Sequence, residues 1–345
     1  MRMEFDPNAA SGADSGLFGL PHGPKDALVH VLGMPFEATT SYRGGTAHGP
    51  EAVLAASRQI DLFDLRFGKP YERGIWMEPI QGRIHGWNAA ARSLAGPIIE
   101  KGGAEASDHE VIARVDQIGD DINGVAHAFF EERLSGPSPV LPVLLGGDHS
   151  TPFGAIRAAA DRYPGLGILQ FDAHADLRPA FEGFRWSHAS IMHNVLAEIG
   201  NVARIVQVGI RDLCEQEYDV LMGDAPVFAV LDDDLQEAQR EGRTRELARH
   251  TIQSLPNEIY ISFDIDGLDP TLCPNTGTPV PGGLRWDDLM VWLDEIAMSQ
   301  KRVVGLDLNE VSPGPGSGDP DGQSWDAIVG ARLLYKLIGA ALASR

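Results

Sequence analysis

Cysteine is almost missing from this 345-residue chain, which holds only Cys214 and Cys273. A disulfide framework or a thiolate zinc cluster needs more, so neither organises the fold, and a reducing compartment is the simplest setting. Long apolar runs are missing too: no stretch of about 18 uninterrupted apolar residues occurs. The first residues carry Glu4 and Asp6 rather than a basic segment leading into an apolar one, so the cytoplasm is the expected location and no membrane contact is expected. Positive charge is scarce, with 28 Lys and Arg against 49 Asp and Glu and a formal net charge of -21. Such a surface repels phosphate-rich partners over a Debye length, which argues against nucleic acid and tolerates a small cationic substrate.

What is present is enough apolar material, 43% of residues, for a large core. Residues 1–26 are rich in Gly, Ala, Ser, Asp and Pro without a hydrophobic period and are expected to form a flexible or draped arm. Residues 27–345 show no repeat and no shift in composition, so one domain is expected. Short apolar runs at 27–32, 140–145, 167–171, 203–208, 227–231, 258–263 and 303–307 predict buried strands. Amphipathic stretches at 50–57, 108–134, 152–162, 187–198, 235–255, 286–300 and 324–343 predict helices. This alternation predicts a three-layer α/β/α fold with a central, mostly parallel sheet.

In such a sheet ligands sit outside the carboxyl ends of the strands, and four polar clusters occupy that position. The first is Gly146-Gly147-Asp148-His149-Ser150. Its glycines permit a sharp exit and a close backbone approach, and His149 is either structural or a ligand. In Asp172-Ala173-His174-Ala175-Asp176 the acids and the imidazole share one side of an extended segment, where three such groups at the end of an apolar strand call for a cation. In Asp264-Ile265-Asp266 two carboxylates share a face and repel each other unless a dication lies between them; one protonated Asp bonded to its neighbour is the alternative. Two imidazoles and four carboxylates suit two ions about 3.5–4 Å apart. Manganese is favoured over zinc because thiolates and further histidines are lacking, and nickel is compatible. The fourth cluster ends in Glu310, either a holder of a cationic head or an ordinary loop acid.

Taken as a set, GGDHS at 146–150, FDAHADLR at 171–178, WSHAS at 186–190, SFDIDGLDP at 262–270, GTPVPGG at 277–283 and DLNEVSP at 307–313 resemble the ureohydrolase family of arginase, agmatinase, guanidinobutyrase and formimidoylglutamase. With Gly33-Met34-Pro35-Phe36 and the segment 40–50 upstream, the resemblance covers roughly residues 27–340 and implies the arginase/deacetylase-like version of the fold.

By that resemblance His149, Asp172, Asp176 and Asp264 would hold one manganese, and His174, Asp172, Asp264 and Asp266 the other, with Asp172 and Asp264 bridging. A hydroxide shared by the ions would attack the guanidinium carbon and release urea. Glu310 would fix the guanidinium by a charge-assisted hydrogen bond, Asp176 would pass a proton to the departing amine, His188 would shuttle protons or contact substrate, and Thr278 would line the pocket. A homo-oligomer, trimer or hexamer, is implied as well.

Arginases usually carry Asn two residues after the last Asp of the DxHxD segment, where this chain has Arg178. This departure speaks against arginase proper, and the stretches 176–178 and 181–190 resemble the agmatinase-like branch, with agmatine, cleaved to putrescine and urea, as the leading expectation. A carboxylate clamp by Arg178 or Arg185 would instead fit guanidinobutyrate or formiminoglutamate; arginase or another guanidine-cleaving activity stays open. A one-zinc deacetylase would not need His149, Asp176 and Asp266. A non-catalytic regulatory paralogue would be expected to have lost part of the set. The other histidines fit no ligand spacing.

Overall fold

The computed structural model describes residues 5–136, 140–314 and 324–345. Among them, eight strands form one sheet in which every pairing is parallel: β1 (Val29–Met34), β2 (Ile75–Met77), β3 (Leu141–Gly146), β4 (Leu166–Phe171), β5 (Val202–Ile210), β6 (Val227–Leu231), β7 (Glu258–Asp264) and β8 (Arg302–Asn309). Their order across the sheet is β2-β1-β3-β8-β7-β4-β5-β6.

The central strands are buried on both faces, which is why they read as apolar runs rather than alternations. In β4, Leu169 and Phe171 join one core while Leu166 and Ile168 join the other. Helices cover both sides. One layer contains α2 (Gly82–Glu100), α3 (His109–Leu134), α4 (Phe153–Arg162) and α5 (Ile191–Glu198), with α6 (Glu215–Met222) contributing Leu221 to the same core. The opposite layer contains α1 (Gly49–Ser57), α7 (Asp232–Arg240), α8 (Thr244–Gln253), α9 (Trp286–Met298) and α10 (Trp325–Ala343). No described helix is long and apolar enough to cross a membrane.

The α/β/α expectation matches this architecture, with local corrections. The single helix predicted over 235–255 is two, because Gly242 turns the chain with a φ of 69° between α7 and α8. The edge strand β2 and helices α2 and α6 were not anticipated. Within the N-terminal stretch Leu17, Phe18 and Leu20 are buried, Phe18 packing edge-on against Tyr335 of α10 with its amide donating to Ser57 Oγ at 2.8 Å.

Candidate metal centre

Four strands adjacent in the sheet, β3, β8, β7 and β4, deliver the candidate residues to one edge. The loop after β3 is drawn close to the chain around Phe36: a Cβ on Gly147 would stand 1.9 Å from the Phe36 carbonyl oxygen, so only glycine fits. Asp176 and Glu310, on the loops after β4 and β8, hold left-handed φ values of 55° and 62°. Such backbone costs about 1–3 kcal/mol per residue and clusters where side-chain aim matters.

His149 Nδ1 lies 3.0 Å from Asp172 Oδ2, 3.1 Å from Asp176 Oδ2 and 3.4 Å from Asp264 Oδ2. It is buried and makes a hydrogen bond to none of them. His174 Nδ1 lies 3.0 Å from Asp266 Oδ2 and 3.6 Å from Asp172 Oδ1. The result is two adjoining clusters, His149–Asp172–Asp176 and Asp172–His174–Asp266, with Asp172 common to both. Backbone amides complete the aim: His174 N donates to Asp172 Oδ1 at 2.7 Å, Ala173 N to Asp266 Oδ1 at 3.0 Å, and Asp266 N to Asp264 Oδ1 at 2.8 Å.

The protonation pattern is that of an electrostatic cage. Burial, then the charge of Asp172, pushes Asp176 well above the usual carboxyl range, and burial with Asp266 and Asp172 does the same to Asp264. Burial favours neutral rings at His149 and His174, but the surrounding aspartates outweigh it and hold both well above an ordinary imidazole. Burial works against the Asp172 carboxylate too, yet the two imidazoles held close to its oxygens, at 3.0 and 3.6 Å, keep it ionised to lower pH than usual. Four acids and two imidazoles brought together around an unpartnered ring nitrogen fit divalent cations with oxygen and imidazole ligands.

The other expected residues fall around this centre. Glu310 is buried, its Oε1 accepting from the amide of His149 at 3.0 Å, and burial together with Asp264 and Asp148 pushes its carboxyl well up. Thr278 Oγ1 lies 3.3 Å from Asp266 Oδ2. His188 Nε2 lies 3.3 Å from Ser41 Oγ, and burial plus the charges of His174 and His149 bring its pKa down to about 3. Arg178 is near His188, with its Nε 3.4 Å from Glu217 Oε2. Arg185 turns away: it pairs with Glu198 and lies over the Trp186 ring at 4.4 Å.

Polar residues inside the strands were not anticipated. His149 Nε2 meets Ser262 Oγ at 2.9 Å, and Ser262 Oγ donates to Asp307 Oδ1 at 3.0 Å. Gln170 Nε2 donates to Asp172 Oδ2 at 2.7 Å, and Gln207, its register partner on β5, donates to Gln170 Oε1 at 2.7 Å. Polar side chains interrupting fully apolar strands were the available signal, since a buried amide or hydroxyl needs a partner.

A profile of the arginase family matches residues 27–339. N(1)-aminopropylagmatine ureohydrolase of Synechocystis sp. is 31% identical over 319 residues, spanning 91% of this chain and 89% of that one. Agmatinase of Pyrococcus horikoshii is 28% identical over 318 residues, spanning 91% and 92%. The solved structure of proclavaminate amidino hydrolase from Streptomyces clavuligerus aligns with a TM-score of 0.71 at 25% identity, covering 98% of this chain and all of that one. The chain belongs to the arginase family, whose members carry a binuclear metal site. Within it the protein is an agmatinase-like ureohydrolase, a hydrolase acting on linear amidines.

Proposed function

We propose that this protein cleaves a small linear guanidino compound to urea and an amine with two manganese ions. His149, Asp172, Asp176 and Asp264 would hold one ion and His174, Asp172, Asp264 and Asp266 the other. The observation that carries the reading is the sharing of Asp172: its two oxygens face different imidazoles, at 3.0 and 3.6 Å, as a bridging carboxylate requires. When bound, the ions supply Lewis-acid charge that brings the pKa of water towards neutrality.

The chain's own groups do the rest. Glu310, on a loop strained to aim it, orients the guanidinium through charge-assisted hydrogen bonds. Asp176 receives a proton and returns it to the leaving nitrogen. His188, neutral at physiological pH, relays protons or contacts substrate beside Ser41. Thr278 steadies Asp266 and lines the pocket.

Agmatine is the substrate supported by the sequence resemblance and by the names of the relatives. The test is urea and ammonia release with manganese, and in parallel with nickel, from agmatine, arginine, 4-guanidinobutyrate, 3-guanidinopropionate, guanidine and formiminoglutamate. Manganese-dependent urea from a guanidino compound is the expected result. Turnover of formiminoglutamate alone, or none with both ions bound, would refute the reading. The same proposal takes residues 27–345 as one catalytic unit in a cytoplasmic homo-oligomer, which light scattering of the purified chain would size.

A further inference from the structure

One row of the sheet behind the cage is polar. Gln207 on β5, Gln170 on β4, Ser262 on β7 and Asp307 on β8 are register partners in turn, and all are fully buried. Ser262 and Asp307 serve His149. The two glutamines form a separate branch, which runs to the Asp172 carboxylate and to the peptide ahead of Asp176.

The direction of this branch is set at its far end. Gln207 Nε2 donates to the Ala175 carbonyl oxygen at 2.6 Å and to Gln170 Oε1 at 2.7 Å. A carbonyl only accepts, so the amide nitrogen of Gln207 must face it, and its second hydrogen is left for Gln170. Gln170 is thereby turned with Oε1 toward Gln207 and Nε2 toward Asp172 Oδ2, to which it donates at 2.7 Å. Both donors of Gln207 are used while its Oε1 stays buried with no partner among the described residues.

Each oxygen of Asp172 then holds one donor, Oδ2 from Gln170 and Oδ1 from the His174 amide at 2.7 Å. Oδ2 also faces His149 Nδ1 at 3.0 Å, and Oδ1 faces His174 Nδ1 at 3.6 Å. A carboxylate oxygen has about two lone-pair sites, so on each one is engaged and one stays open toward its own cluster. Without Gln170 only Oδ1 is held, and the carboxylate can rotate until Oδ2 leaves His149. The bond to Ala175 steadies the peptide that enters Asp176, where the backbone is left-handed.

We infer that Gln170 is a positioning residue that fixes the Asp172 carboxylate as a bridge between the two ions, and that Gln207 acts through it by setting its amide. The inference rests on the two-ion reading and adds the groups that keep the bridge rigid.

The test compares full-length wild type, Gln170→Met, Gln207→Met and the double variant, methionine being unable to donate. Paramagnetic resonance of added manganese gives affinity from the free ion and the state of the bridge from the exchange-coupled pair. Gln170→Met is expected to weaken binding about 10–100-fold, as loss of a ligand's outer partner does, and to replace the coupled signal by that of isolated ions. Gln207→Met should act the same way but less, since Gln170 keeps its donor and loses its orientation. Thermal denaturation of chelator-treated protein separates aim from folding. Gln170→Met strands a buried donor of Gln207, whereas the double variant removes both partners and should melt closer to wild type, with manganese affinity still as low as in Gln170→Met. Affinity that recovers along with Tm in the double variant overturns the proposal, as does a wild-type coupled signal in Gln170→Met; either leaves the two-ion reading standing. Unchanged affinity in Gln207→Met overturns the part assigned to Gln207. A wild type that forms no coupled pair would remove both readings.

Discussion

Ser262 stands directly behind His149, its Oγ 2.9 Å from His149 Nε2. The hydroxyl's own hydrogen goes to Asp307 Oδ1 at 3.0 Å, so toward the imidazole it can only accept. When the ring gives up its second proton, that keeps the remaining one on Nε2 and frees Nδ1, which faces the three aspartates, to act as a ligand. Asp307 is held in turn by the Phe263 amide at 3.2 Å and by Asn309 Nδ2 at 2.5 Å. Removing the hydroxyl in Ser262→Ala should weaken manganese binding about 10–100-fold, as loss of a ligand's outer partner does. Manganese titration followed by the paramagnetic resonance of the free ion measures this, with circular dichroism reporting the fold. Unchanged affinity would show that the hydroxyl does not orient the ring.

His174→Ala and Asp176→Asn remove one expected ligand each, from different clusters. Both should abolish urea release and lower the manganese content of the purified protein, by elemental analysis, below that of the wild type. Full turnover in either variant is incompatible with the two-ion centre.

Why these residues were legible and others were not is a matter of local pattern. Asp172, His174, Asp264 and Asp266 follow long apolar strands and repeat with the two-residue period of extended chain, so strand, site and shared face announce each other. Ser262, Gln170 and Gln207 lie within the strands themselves, and their partners come from neighbours that only the sheet order β8-β7-β4-β5 brings together. The edge strand β2 is three residues long and, among the described residues, pairs only with β1, too short for any periodicity to register. Helix α2 contains Gly82, Gly86, Gly96 and Pro97, all poor helix formers, and it buries only Ile84, Ala91, Ala95 and Ile98. Packing against α3 stabilises it, not propensity. Arg178 and Arg185 were equivalent in sequence; the fold separates them by giving Arg185 to Glu198.

Glu310 has two duties that a substitution can separate. Its Oε1 accepts from the His149 amide, so Glu310→Ala would disturb the metal centre as well as the substrate site. Glu310→Gln keeps an acceptor for that amide and loses the charge that a guanidinium needs. Manganese stoichiometry should therefore stay at the wild-type level while kcat/KM for the preferred guanidino substrate falls by about 100-fold or more, in line with loss of a charged hydrogen-bonding partner. Wild-type kinetics in this variant would remove Glu310 from guanidinium recognition.

The last prediction concerns pH and follows from the cage without its ions. Asp176, Asp264 and Glu310 are pushed up by burial and neighbouring carboxylates, while His149 and His174 are raised, against burial, by the surrounding aspartates. A group raised in the folded state contributes stability that is complete below its unfolded value and lost as pH climbs through the folded one. The lowered Asp172 has the opposite sign, but its window closes below the ordinary carboxylate range, and that of His188 lies below an ordinary imidazole. Above about pH 6.5, the unperturbed imidazole value, the raised groups alone set the slope, and chelator-treated protein should lose thermal stability as pH rises. Manganese binding must expel those same protons, so its affinity rises with pH. The increase in Tm on adding manganese should be larger at about pH 8 than at about pH 6. Thermal denaturation of chelated and manganese-loaded protein at the two values is the measurement, and a larger increase at the lower pH would mean that these groups are not the ones displaced by the ions.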